Sequence, residues 1–203
     1  MSVVDVPDVF IGSTDDGHTF VALNRLLRGA NRLLTAAGFT ARKVNGRTVY
    51  LLPPTTSEEA NERAGIAMYG LLAHTHDLID LSWTTRWSPL NPQPEPDLRL
   101  TFTGTALTAT ATTAQARSIL EQHGFTSSAD GTSYGLAMPL SERELLGTVV
   151  RAETHAYANG IGVRVELGIP TPEAIPTLPT AARPPSPPDR PPGRHSAAPT
   201  DRR

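Results

Sequence analysis

NGRTVYLLPPTTSEE, Asn45 to Glu59, and DGTSYGLAMPLSERE, Asp130 to Glu144, follow one grammar. Each opens on a dipeptide, Asn45-Gly46 or Asp130-Gly131, that tolerates the positive φ of a type I′ hairpin turn. Alternating residues come next, Val49, Leu51 and Pro53 in the first and Tyr134, Leu136 and Met138 in the second, as on one face of a strand. Thr56 with Glu59, and Ser141 with Glu144, then have the spacing of a capping box, in which hydroxyl and carboxylate satisfy backbone N–H groups at a helix start.

The same order extends outward from both stretches. Leu23, Leu26, Leu27, Ala30, Leu33, Leu34 and Ala37 repeat with helical spacing before Gly38, and Ala116, Ile119 and Leu120 do so before Gly124, with Thr112 and Gln115 placed as a cap. Downstream, Ala60, Ala64, Ala67 and Leu71 match Leu145, Val149, Ala152 and Ala156 as buried stripes of a second helix. Closing strands follow at Ile79, Leu81, Trp83 and at Val163, Val165, Leu167, and opening strands precede, near Val9 to Ile11 and Leu98 to Phe102. Each unit therefore reads β-α-β-β-α-β, the order of the split βαβ or ferredoxin-like arrangement. The segments HTFVAL and TALTATAT, ahead of the first helices, fit either an extra strand or an early helical turn.

The fold class is α+β: two tandem homologous units, 1–86 and 97–168, packed as an internal pseudo-dimer. A Pro-rich linker, 87–96, separates them, and the Pro/Arg-rich residues 169–203 lack any amphipathic period, which predicts a disordered tail. Within it, RPPSPPDRPP has the composition of a ligand for a polyproline-recognising groove.

Composition excludes several functions. The chain of 203 residues has no Cys, which removes disulfides, thiolate metal sites and thiol nucleophiles. A net charge of −2 gives no global attraction to nucleic acid or anionic membrane. The longest apolar run, Gly65 to Ala73, falls short of the about 20 residues that span a bilayer, and no secretory leader is evident at the start. These features predict a cytoplasmic protein without membrane contact. No phosphate loop, nucleophile elbow or HExxH motif is present, so the expectation is a binding or regulatory protein rather than an enzyme, with no cofactor.

Two groups of residues are candidates for a site. Between Gly17 and Ser57 lie Arg25, Arg28, Arg32, Arg42, Lys43 and Arg47, with no acid. On a helix, Arg25, Arg28 and Arg32 would line one polar face and could grip a nucleic acid or an acidic partner protein. Tyr50 would offer an aromatic on an exposed sheet, although packing of that face against the other unit is the favoured reading. The alternative site is His74, His76 and Asp77, with Asp80 nearby and His155 of the second unit as a further candidate, as metal ligands between the units in a metal-dependent enzyme or metal-binding protein. A structural adaptor is the third reading.

Overall fold

The computed structural model describes residues 2–86, 94–104 and 106–178. Most of the predicted linker and the tail beyond Leu178, including RPPSPPDRPP, lie outside the described residues. The chain is mixed α+β, with two five-stranded sheets and five helices among the described residues. Among the described residues no helix is long and apolar enough to cross a membrane.

The first half runs β1 (Val9–Ser13), β2 (Thr19–Leu23), α1 (Ala30–Ala36), β3 (Thr40–Val44), β4 (Arg47–Leu52), α2 (Ser57–Leu72), β5 (Leu78–Asp80) and the one-turn α3 (Ser82–Thr85). The second runs β6 (Leu98–Thr103), β7 (Ala106–Ala111), α4 (Ala114–Gln122), β8 (Phe125–Ser127), β9 (Tyr134–Leu136), α5 (Glu142–Ala158) and β10 (Val163–Glu166). The sheets are ordered β3-β4-β2-β1-β5 and β8-β9-β7-β6-β10. Neighbours are antiparallel except β1 with β5 and β6 with β10.

Each half thus departs from the β-α-β-β-α-β order by one strand. β2 and β7 pair as hairpins with β1 and β6 and stand between them and β4 or β9. In the first half this strand is the extra-strand alternative for HTFVAL, and it ends on Leu23, the first residue of the run whose spacing predicts a helix to Ala37. The β-branched and aromatic run Thr19-Phe20-Val21 extends against β1 and β4. Gly29 then adopts φ +78°, a left-handed conformation that interrupts any continuous helix, so α1 begins only at Ala30. Leu26, counted on the helix's apolar face, is fully exposed in the turn.

The turns and caps differ between the halves. Asn45 and Gly46 both have positive φ and join β3 to β4 with Val44 opposite Arg47, the two-residue hairpin the dipeptide predicts. Asp130-Gly131 instead sits in a longer loop, where the Asp130 carboxylate accepts hydrogen bonds from the Ser128 hydroxyl and the Thr132 N–H. Those bonds hold Asp130 at a pKa of about 2. Ser141 and Glu144 form a reciprocal capping box on α5, whereas on α2 only the Thr56 hydroxyl accepts, from the Glu59 N–H. Helix α4 is capped by Thr113 rather than Thr112.

The central strands of the first sheet, β1, β2 and β4, are buried on both faces, while the edge strand β3 is exposed except at Val44. Val9, Ile11, Val21, Tyr50 and Leu52 pack with Ala30, Leu34, Ala60, Ala64, Ala67 and Leu71 of α1 and α2. Phe10, Phe20, Ala22, Val49 and Leu51, on the opposite face, belong to a second cluster with Val3, Val4, Leu167, Ile169 and Ile175. That cluster is continuous with the core of the second half, where Leu98, Leu100, Leu107 and Ala109 meet α4 and α5. Tyr50 therefore packs on the helices of its own half rather than against the other unit as the sequence reading favours, and Val49 takes the opposite face. At Gly12 a Cβ would stand 3.0 Å from Leu167 Cδ1, so the absence of a side chain lets the covering chain close on β1.

Residues 169–178 do not begin a structureless tail. Asp15 and Asp16 N–H groups donate to the carbonyls of Ile169 and Pro170, and the Asn45 amide donates to the carbonyls of Glu173 and Ile175. Ile169 and Ile175 are buried, so the stretch from Ile169 to Ile175 contributes to the core.

Candidate functional site

The structure disperses the basic residues. Arg47 is 1% exposed. Its guanidinium pairs with Asp5 at 2.7 Å and also donates to the Pro176 carbonyl and the Asn24 side chain. Asn24 in turn donates to the carbonyls of Val4 and Pro7, so this network fastens both terminal segments to the first sheet. Arg25 is in the turn after β2, 3.5 Å from Asp8, and Arg42 on the edge strand β3 is 3.7 Å from Glu173. Of the six, only Arg28, Arg32 and Lys43 are exposed without an ion pair among the described residues, and only Arg32 is on a helix. Tyr50 is buried, and that burial raises its pKa, so it offers no ring to a base.

The His/Asp group is also dispersed. His74 and His76 are exposed beyond α2. Arg143 of α5 donates to both oxygens of Asp77, at 3.1 and 2.9 Å, and lowers its pKa, so that carboxylate is engaged by an arginine. Among the described residues no three His, Asp or Glu side chains gather around a metal-sized space.

What the fold does bring together is a cleft of about 1040 Å³ between the halves. From the first half, Asn61 on α2, Asp80 at the end of β5, Trp83 and Thr84 on α3, and Arg86 line it. The second half supplies Val150, Glu153, Thr154 and Tyr157, which share one face of α5, with Gly160 to Val163 entering β10. Trp83, placed by the spacing on a buried strand face, is 56% exposed because the chain turns into α3 after Leu81; Tyr157 is 73% exposed. Each half thus brings one exposed aromatic ring to the cleft.

The charges of this cleft are strained by burial. Desolvation raises the pKa of Asp80, against the Ser82 N–H, which donates at 2.8 Å, and the charge of Arg86. Glu153 is pushed up to about 7, first by desolvation and then by repulsion from Asp80, with a hydrogen bond from Thr84 opposing. Arg86 is 5% exposed; burial lowers its pKa and Asp80 raises it. Its guanidinium donates to the Ser57 carbonyl at 3.0 Å and to Asn61. Its Nε is a buried donor with no acceptor among the described residues. Such an arrangement can exchange a proton near neutrality or hold a cation against carboxylates.

Sequence reasoning noted Asp80 only as a neighbour of the histidines and missed Trp83, Arg86, Glu153 and Tyr157. The spacing of Val150, Glu153, Thr154 and Tyr157 on one helix face was the available signal. Nothing in the sequence joins that face to Asp80. No protein-family model, curated protein or solved structure matches this chain.

Proposed function

We propose that the chain is a non-enzymatic binding protein that takes a small, positively charged ligand in the cleft between its halves. One observation carries this reading: Asp80 and Glu153, from different halves, meet in a cleft where, among the described residues, Arg86 is the one lining cation. With both carboxyls ionised, one negative charge is left for a ligand to neutralise. Trp83 and Tyr157 line the same cleft, and a cation over such a ring gains about 0.5–2 kcal/mol depending on its desolvation. The halves themselves we read as homologous units forming an internal pseudo-dimer, supported by their shared strand order and their recurring turns and caps. A ligand site between duplicated units can then be asymmetric although the scaffold repeats.

Polyanion or partner-protein binding through the basic surface has less support, because half of its six residues are already engaged by Asp5, Asp8 or Glu173. The cleft is tested by a thermal-shift screen of small amines, quaternary ammonium ions, neutral isosteres and carboxylates on the full chain. Cations should raise Tm, and Glu153→Gln or Trp83→Ala should remove the shift. A screen in which no cation shifts Tm, or in which both variants respond as the parent does, rules the reading out.

A further inference from the structure

His123 caps the C-terminal end of α4, its backbone N–H donating to the carbonyls of Ile119 and Leu120. His155 stands in the last turn of α5. The packing of these two helices sets the rings edge to face, with centroids 5.4 Å apart and planes at 81°. Nε2 of His123 is 3.2 Å from Nδ1 of His155. An N–H···N hydrogen bond accounts for that distance when one ring holds the inner proton. It is also the separation a metal ion imposes: two imidazole nitrogens at about 2.0–2.1 Å from a tetrahedral zinc stand about 3.3 Å apart.

We propose that His123 and His155 form a two-imidazole site for a divalent transition ion of the zinc, nickel or copper class. Both side chains are part exposed, so an ion has access from solvent. On binding, the inner proton moves to the outer nitrogen of its own ring, so each imidazole presents a lone pair and keeps one N–H. Both backbones are fixed locally: the His123 N–H closes the end of α4, and Asn159, which accepts from Gln115, donates to the His155 carbonyl at 2.8 Å. No third His, Asp or Glu joins them among the described residues, so water completes the coordination. An imidazole pair without carboxylate selects borderline ions over magnesium or calcium. Neither ring lines the cleft, and the site does not depend on the function proposed for it.

The test uses the full chain without a histidine tag, treated with EDTA and titrated calorimetrically with zinc and then copper at pH 7.5. One ion per chain is expected. His123→Asn and His155→Asn should each weaken binding at least about tenfold, while the double variant His74→Asn/His76→Asn keeps the parent affinity. Circular dichroism confirms that the variants are folded. Electron paramagnetic resonance of the parent with one equivalent of copper supplies a readout independent of any variant, and two nitrogen ligands are expected. Absence of binding heat, loss of affinity in the His74/His76 variant alone, or a copper signal without nitrogen coupling would each overturn the assignment.

Discussion

The two halves share a strand order and differ in what happens to the second face of the sheet. In the first half, consecutive residues of β1 and β4 are buried, because helices cover one face and the terminal segments cover the other. In the second, β6 and β7 alternate: Leu98, Leu100, Leu107 and Ala109 point to α4 and α5, while Thr103, Thr108 and Thr110 are exposed. Near-continuous apolar strands mark a sheet covered twice, and alternating ones a sheet covered once. The covering is recruited from far along the chain, from Val3 and Val4 at one end and Leu167, Ile169 and Ile175 at the other. Arg47, which stands where the second grammar has Thr132, therefore looked like a functional novelty of the first half but fastens this covering.

The largest effect is expected from removing the covering. A chain ended after Gly168 loses Ile169 and Ile175 from the core, where deleting one such side chain costs about 2–5 kcal/mol. Against a chain ended after Leu178, its urea midpoint should fall by the equivalent of at least about 4 kcal/mol. Equal midpoints would show that the first sheet does not need its second cover.

Next in size is the fastening itself. Arg47→Met leaves Asp5 buried without its cation and should cost about 3–5 kcal/mol, and Asp5→Leu, which leaves Arg47 buried without its anion, a similar amount. Replacing both, as Arg47→Met/Asp5→Leu, should recover much of the loss, giving a strong coupling in a double-mutant cycle. The exposed positions of the other half supply the control: Thr132→Ala and Thr108→Ala should stay within about 0.5 kcal/mol. Simple additivity at Arg47 and Asp5 would mean the two act separately.

The smallest effect concerns the seam. Glu153 in the folded chain titrates at about 7, above its unfolded value, so its neutral form favours folding. The stability it contributes is complete below the unfolded pKa and declines as pH rises through about 7. Glu153→Gln should therefore match the parent near pH 5 and melt higher near pH 8, by about 2–4 °C for each kcal/mol recovered. Cation binding in the cleft runs the other way and should strengthen above pH 7, as Glu153 ionises. A parent and variant with the same Tm difference at both pH values would deny the shift its origin in this group.

Local chemistry was legible from sequence wherever a few neighbouring residues decide the outcome. The Asn45-Gly46 turn, the Ser141-Glu144 box and the stripes of α2 and α5 are of this kind, since caps, positive φ and helical spacing depend on residues within about one turn. Competition between local signals was not resolved there: Leu23 to Ala37 has helical spacing, yet strand pairing of Thr19 to Leu23 and the left-handed Gly29 prevail. The facing of Tyr50, the burial of Arg47, the docking of Ile175 and the meeting of Asp80 with Glu153 were decided only by tertiary structure. Each depends on segments remote in sequence, and a residue's period reports that it has a face without saying what that face will meet.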